Sequence, residues 1–111
     1  MPHQKFASCI ESCYDCATSC NHCLASCLQE EDVKMMARCI AFDVDCAHVC
    51  EMAASAMARA SESAKAICLV CADVCQQCGD ECAKHEAEHC RECAQACRQC
   101  ADECRKMAAM A

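Results

Sequence analysis

Residues 9–27 read CIESCYDCATSCNHCLASC, and six of them are cysteines. The steps from one cysteine to the next are four, three, four, three and four residues. This alternation keeps every cysteine on one side of an α-helix, in the inward-facing stripe by which helices pack in bundles. The stretch therefore predicts a helix of about five turns whose packing stripe carries sulfur where leucine is usual.

The same spacing returns three more times along the chain, in a degenerate form in the second block. The four blocks comprise Cys9, Cys13, Cys16, Cys20, Cys23 and Cys27; Cys39, Cys46 and Cys50; Cys68, Cys71, Cys75, Cys78 and Cys82; and Cys90, Cys93, Cys97, Cys100 and Cys104. Short polar links separate them, and Asp32 in the first link is a candidate helix N-cap. The chain thus repeats one amphipathic helical unit four times.

Four helices joined by short links predict an all-α fold, an antiparallel up-down-up-down four-helix bundle with a cysteine-lined core. We expect the helices at about 4–28, 33–57, 63–84 and 87–108. The second stripes beside the cysteines, such as Ile40 and Val44, either complete this core or pack against other subunits. Residues 1–111 are long enough for one such domain.

Composition excludes several classes of protein. Gly and Pro occur once each, which leaves little turn chemistry for a β-rich fold. Nineteen is an odd number of cysteines, and residues 1–9 lack the apolar stretch of a secretory signal, so we expect free thiols in the reducing cytoplasm. The net charge of −7 argues against a nucleic-acid partner, and no apolar run is long enough to span a membrane.

Cysteine spacing favours a soft metal ion over simple core filling, because Cys packs no better than Ala, Val or Leu. An i,i+4 pair such as Cys9–Cys13 has Cβ atoms about 5–6 Å apart, too far for a disulfide within one helix. A two-coordinate Cu(I) ion needs sulfurs roughly 4.6 Å apart, twice a metal–thiolate bond of about 2.3 Å, and Cu(I) prefers thiolates. All nineteen cysteines are therefore candidate ligands for multiple Cu(I) ions.

Two other functions stay open at this point. A Zn(II) or general thiolate buffer of metallothionein type would also use many cysteines. Zn(II), however, needs four converging ligands, for which a straight helical ladder is poorly shaped, and each Cys₄ site buries excess negative charge. A thiol redox protein using C-x-x-C pairs is weaker still, because such motifs act singly at an exposed helix N-terminus. We therefore expect no enzyme.

Three residues other than cysteine continue the stripes. Asp43 fills the position between Cys39 and Cys46, either solvated or capping near an open end, or as an oxygen ligand or gate at the bundle mouth. His85 and His89 continue the third block in steps of three and four, so they could receive copper at the bundle end. The remaining histidines (His3, His22 and His48) lie off the stripes or in the terminus and are predicted non-ligands, and the methionines are predicted core filler.

At this level of detail the chain resembles the cytosolic branch of the copper storage protein family. The blocks that carry the resemblance are CIESCYDCATSCNHCLASC, CIAFDVDCAHVC, CLVCADVCQQCGDEC and CRECAQACRQCADEC. The resemblance implies a homotetramer of four-helix bundles that stores Cu(I) along each core, without indicating a copper-donor protein. It also implies uptake at one end, near Asp43, His85 and His89. Ala87 stands where a third histidine of that link is expected, so the ligands at this end differ from the family pattern.

Overall fold

A computed structural model describes residues 6–110 of the chain, and within them it has four long α-helices. These are α1 (Ala7–Cys27), α2 (Ala37–Ala58), α3 (Ala64–Cys82) and α4 (Glu88–Met110), with a 3₁₀ turn (Val33–Met36) before α2. The expected bounds are confirmed to within a few residues, although part of the expected start of the first helix lies outside the described residues. The molecule is a narrow column, 47 × 19 × 18 Å.

Neighbouring helices run antiparallel and close into a ring of four. Between α1 and α4, the Sγ atom of Cys9 lies 3.7 Å from that of Cys104, and at the other end Cys23 meets Cys90 at 3.9 Å. The remaining contacts follow the chain, with α1 against α2, α2 against α3 and α3 against α4. This is the expected up-down-up-down bundle.

The core of the bundle is built of sulfur and small side chains. Cys9 is 3% exposed and the other eighteen cysteines are fully buried. Alanines such as Ala47, Ala72 and Ala101 fill the spaces where helices approach one another. A buried thiol behaves as a small hydrophobe, so these stripes form an apolar core before any metal is bound.

The two ends of the column differ in chemistry. One end carries the α2–α3 link and both described chain ends, and Met57 and Met107 are buried there as apolar filler. The prediction of core filler is wrong for Met35, Met52 and Met110, because their side chains are exposed. The other end carries the α1–α2 and α3–α4 links, and we call it the mouth. Asp32 in the first of these links caps the 3₁₀ turn, as expected, because its side chain accepts a hydrogen bond from the Met35 N–H at 3.3 Å.

Gly79 lies where α3 approaches α4 closely. A Cβ atom at this position would stand 3.2 Å from the Cβ of Cys97 and 3.5 Å from the carbonyl oxygen of Ala94. Glycine here gives up roughly 1 kcal/mol of helix propensity relative to alanine, and in return it lets the two helix backbones come close.

The second apolar stripes are divided between core and surface. Ile40 and Ile67 are partly buried against the core, whereas Tyr14, Leu28 and Val70 are 49%, 54% and 56% exposed. Packing against the core of the same chain therefore accounts for only part of these second stripes. Among residues 6–110, no helix is both long and apolar enough to cross a membrane.

Candidate metal centre

Cysteines one helical turn apart hold their sulfurs close together. The Sγ atoms of Cys71 and Cys75 are 3.8 Å apart, and those of Cys46 and Cys50 are 3.9 Å apart. Small rotamer changes separate such a pair to the roughly 4.6 Å that a linear two-coordinate ion requires. These two i,i+4 pairs are therefore placed as the sequence predicted.

Contacts between helices are as short as those within them. The Sγ atoms of Cys39 and Cys82 approach to 3.4 Å, and those of Cys50 and Cys75 to 3.5 Å. All nineteen thiols are free of disulfides. Sulfurs such as that of Cys46 thus have neighbours on their own helix and on the next ones, so the ligand set is a continuous column.

Groups of four sulfurs recur along this column, with the ligand atoms of each group within 4.8 Å of one another. They include Cys13, Cys71, Cys100 and Cys104; Cys16, Cys46, Cys50 and Cys75; Cys16, Cys20, Cys46 and Cys97; Cys20, Cys78, Cys93 and Cys97; and Cys23, Cys27, Cys39 and Cys90. The second and third groups share Cys16 and Cys46, and the third and fourth share Cys20 and Cys97. Shared sulfurs suit bridging thiolates in a polynuclear cluster.

These groups correct the geometric argument against Zn(II). Spacing along one helix predicts a poor fit for four converging ligands, yet each of the five groups named above draws its sulfurs from three helices. The shape of the core therefore accepts tetrahedral ions. Buried charge still disfavours Zn(II), because a Cys₄ site retains two negative charges per Zn(II) ion in a medium that solvates charge poorly.

Burial governs the acidity of the thiols nearest the mouth. It raises the pKa of Cys90 to about 11, and it raises that of Cys27 as well. Cys39 shifts the other way, because hydrogen bonds from Cys23 and Cys82 stabilise its thiolate and His85 adds a favourable charge. Most sulfurs at this end therefore exchange a proton for an incoming cation, and Cys39 is the most readily ionised of these three.

Asp43 is fully buried one turn inside the mouth. Its Oδ1 atom accepts hydrogen bonds from the thiols of Cys78 at 3.3 Å and Cys93 at 3.4 Å, and its Oδ2 atom lies 3.9 Å from the Cys39 sulfur. The solvated alternative for Asp43 is therefore wrong, because the bundle closes over this position. Burial, together with the charges of Cys93 and Cys39, raises the pKa of the carboxyl to about 8.

His89 connects the mouth to the sulfur column. Its Nδ1 atom lies 3.4 Å from the sulfur of Cys23 and 3.6 Å from that of Cys90, and its Nε2 atom lies 2.9 Å from Oε1 of Glu30. The side chain is 14% exposed. His89 is therefore within reach of both solvent and the first buried thiols.

His85 lies on the other side of the mouth with a carboxylate of its own. Its Nε2 atom is 3.0 Å from Oε2 of Glu81, and Arg38 and Lys84 contact the second oxygen of that carboxylate at 3.1 and 3.4 Å. Burial opposes ionisation of Glu81, but the hydrogen bonds from His85 and Lys84 outweigh it and lower its pKa. Arg38 and Glu81 are 43 residues apart, so their contact was not predictable from local spacing.

The other histidines stand apart from this site. His22 and His48 are exposed on the outer faces of α1 and α2, and His3 lies outside the described residues. The partners of the mouth histidines, Glu30 and Glu81, were missed by sequence reasoning. Glu81 stands four residues before His85, a spacing that could have revealed this pair, whereas Glu30 reaches His89 only through the fold.

Comparison with known proteins adds sequence and structural relatives to this geometry. The model of the family described as "Copper storage protein" matches residues 2–109. An uncharacterized cysteine-rich protein of Bacillus subtilis, YhjQ, is 48% identical over 79 residues, which is 71% of this chain and 73% of that protein.

Two of the solved structures that match are copper storage proteins. The apo form of copper storage protein 3 from Bacillus subtilis has a TM-score of 0.88 and 47% identity, covering 92% of this chain and 97% of that one. A cytosolic copper storage protein from Streptomyces lividans, loaded with five coppers, has a TM-score of 0.93 and 41% identity. That match covers 97% of this chain and 95% of the other.

Proposed function

Because this chain belongs to the copper storage protein family, we propose that it stores many Cu(I) ions on the thiolates inside its helical bundle. The observation that carries the proposal is the column of nineteen buried, unpaired thiols in overlapping four-sulfur groups. Cu(I) is the ion that such a column suits best, since it is soft and accepts low coordination by thiolates.

Charge balance supports Cu(I) over divalent ions. If each thiolate bridges two Cu(I) ions and each ion takes two thiolates, metal and thiolate stand about one to one. The filled core is then close to neutral, which avoids the desolvation penalty of buried net charge. Zn(II) in Cys₄ groups remains the second candidate, because the sulfur groups converge well enough to hold it.

All nineteen cysteines are the proposed ligands, and the mouth is the proposed site of uptake. His89 supports this assignment most directly, since its ring is partly exposed and touches two buried thiols. His85 and Asp43 are proposed to take part, since the charge of His85 favours the Cys39 thiolate and Asp43 lies among the thiols one turn further in. A storage role assigns no catalytic residue.

The setting of the protein follows the same family assignment. The relative from Streptomyces lividans is a cytosolic protein, and free thiols need a reducing compartment, so we infer a cytoplasmic location. A homotetramer is proposed as well, and exposed Tyr14, Leu28 and Val70 offer apolar surface for contacts between copies.

Anaerobic titration of the reduced apo protein with Cu(I), in competition with a chromophoric chelator, tests the function. We expect tight uptake that approaches one Cu(I) per cysteine, nineteen per chain. A parallel titration with Zn(II) distinguishes the second candidate, which would saturate near one ion per four thiolates. Saturation with Cu(I) at only a few ions would overturn the storage proposal.

A further inference from the structure

Resting on the proposed function, we propose that Glu30 is a positioning residue for copper uptake, which fixes the tautomer and orientation of the His89 ring. The Glu30 carboxylate accepts a hydrogen bond from the Nε2–H of His89. The Nδ1 lone pair of the same ring is thereby directed at the thiols of Cys23 and Cys90. The distances that define this relay are 2.9 Å on the outer side and 3.4 and 3.6 Å on the inner side.

The tautomer follows from the chemistry of the outer partner. An ionised carboxylate only accepts hydrogen bonds, so the Nε2 atom that meets Glu30 must carry the proton. In a neutral imidazole the other nitrogen then has a free lone pair. That nitrogen is Nδ1, the atom 3.4 Å from the Cys23 sulfur. The ring therefore offers a metal-binding nitrogen on its inner side.

The orientation of the His89 ring follows from the position of Glu30 in the chain. It belongs to the link between α1 and α2, whereas His89 lies in the first turn of α4, 59 residues along the chain. The hydrogen bond thus holds the ring from outside the helix that carries it. Histidines that bind metals commonly donate their second N–H to such a carboxylate, and removing the partner typically costs 10–100-fold in metal affinity or activity.

The second mouth histidine has a matching arrangement that differs in one respect. His85 also places Nε2 against a carboxylate, Oε2 of Glu81 at 3.0 Å. Glu81 is anchored by Arg38 and Lys84 as well, so its removal would disturb several contacts at once. The Glu30 side chain is 40% exposed, so replacing Glu30 tests the effect on His89 alone.

Glu31 provides the matched control. It is the next residue in the same link, it is exposed, and its replacement removes the same charge. We would compare Glu30→Ala with Glu31→Ala, with His89→Ala and with the double variant Glu30→Ala/His89→Ala. Far-UV circular dichroism and the final Cu(I) capacity confirm that each variant folds and fills.

Two readouts then test the inference. Long-range ¹H–¹⁵N correlation spectra of the reduced apo protein, with His89 assigned from the His89→Ala spectrum, report which ring nitrogen carries the proton. Stopped-flow mixing with Cu(I) bicinchoninate reports the initial rate of uptake. We expect a single Nε2–H tautomer that becomes mixed in Glu30→Ala, uptake at least about tenfold slower in that variant, and no change in Glu31→Ala.

The double variant decides whether Glu30 acts through His89. We expect Glu30→Ala to add nothing in the His89→Ala background, as for two residues coupled in one step. The inference fails if Glu30→Ala and Glu31→Ala give the same spectrum and rate, or if Glu30→Ala slows uptake equally without His89. Failure of the storage proposal itself would differ, since the wild-type capacity would then be low whatever the tautomer in the metal-free protein.

Discussion

At the scale of single residues, the buried carboxyl group of Asp43 imposes a pH dependence on the apo protein. Its pKa is raised to about 8 in the fold by burial, whereas an unfolded chain restores a value near 3.9. Below pH 4 the group is protonated in both states and costs nothing. Between pH 4 and pH 8 the unfolded state releases the proton and the native state keeps it, so stability falls as pH rises.

We therefore expect Asp43→Asn to stabilise the reduced apo protein at pH 8 by a few kcal/mol, since one unit of pKa shift corresponds to about 1.4 kcal/mol. The gain should shrink towards zero near pH 4. Urea unfolding from pH 4 to pH 8 measures it, and Asp45→Asn, an exposed position on the same helix, is the control. A gain that is equal at both ends of the range would contradict the assignment.

The acidity of the thiols gives a second prediction at this scale. Burial raises the pKa of Cys90 to about 11 and raises that of Cys27, so both are protonated from pH 6 to pH 8. Each incoming Cu(I) must then displace a proton. We expect the apparent affinity per ion to weaken about tenfold for each unit of pH decrease when one proton is released per ion.

Chelator competition at pH 6, 7 and 8, corrected for protonation of the chelator itself, measures this dependence. Proton release into a weakly buffered solution during loading gives an independent count. Equal affinities at pH 6 and pH 8 would mean that the thiols are already ionised in the apo bundle.

At the scale of elements, the sequence defined the helices because the cysteine period is explicit. A seven-residue repeat with four-and-three spacing places each stripe, and the polar links end each helix. The 3₁₀ turn before α2 was missed, although Asp32 was identified as a cap; its side chain holds Met35 in the tighter turn. Contacts between helices were beyond sequence reasoning, because register across the bundle depends on how the links fold.

The metal site was likewise predictable only in part. All nineteen cysteines were identified as lining the core from periodicity alone, since a stripe must face inward. The depth of Asp43 and the pairing of Glu30 with His89 were not, because both depend on tertiary structure. Glu81 precedes His85 by four residues, so that pair was open to sequence reasoning and was missed.

The C-terminus of α2 offers a test of local backbone strain. Ala60 has a φ of 52°, in the left-handed region, and the Ser61 N–H bonds to the Ala56 carbonyl at 2.9 Å while the Ala60 N–H bonds to that of Met57 at 3.0 Å. This is a Schellman motif, which ordinarily has glycine where Ala60 stands. The Cβ atom makes the conformation costly.

Ala60→Gly should accordingly stabilise the apo protein by about 1 kcal/mol. Thermal unfolding of the reduced protein measures the change. Ala58→Gly, two residues earlier in the last turn of α2 and also exposed, should instead destabilise by up to about 1 kcal/mol. A loss of stability in Ala60→Gly would show that the turn is not strained.

At the scale of the whole molecule, the cysteine thiols that bind the metal also form the apolar core that keeps the metal-free protein folded. Sulfur and alanine fill a column 47 Å long, and protonated thiols are apolar enough to hold the helices together. Copper storage protein 3 from Bacillus subtilis was solved in its apo form, in keeping with a bundle that folds without metal. Loading then replaces protons by Cu(I) without changing the net charge of the core, so filling needs no refolding of the helices.

A column of shared ligands should lose capacity in small steps. Cys46 contacts four other sulfurs, at 3.6–3.9 Å, so its neighbours can still bridge ions when it is absent. We expect Cys46→Ser to lower the Cu(I) capacity by about one ion per chain and Cys46→Ser/Cys75→Ser by about two, on the one-to-one ratio that neutrality of the core requires. Cys9→Ser, at the far end of the column, is the matched control and should also remove about one.

Endpoint titration of each folded variant measures these steps, with circular dichroism to check that the buried hydroxyl, which costs about 1–3 kcal/mol when unpaired, has not unfolded the bundle. Collapse of uptake on replacing Cys46 alone would indicate one discrete site in a core that is otherwise idle. A thiol redox protein would behave in yet another way, because replacing one active C-x-x-C pair would abolish its activity while substitutions elsewhere left it intact. Equal small losses at the centre and at the far end are the pattern that only a distributed store produces.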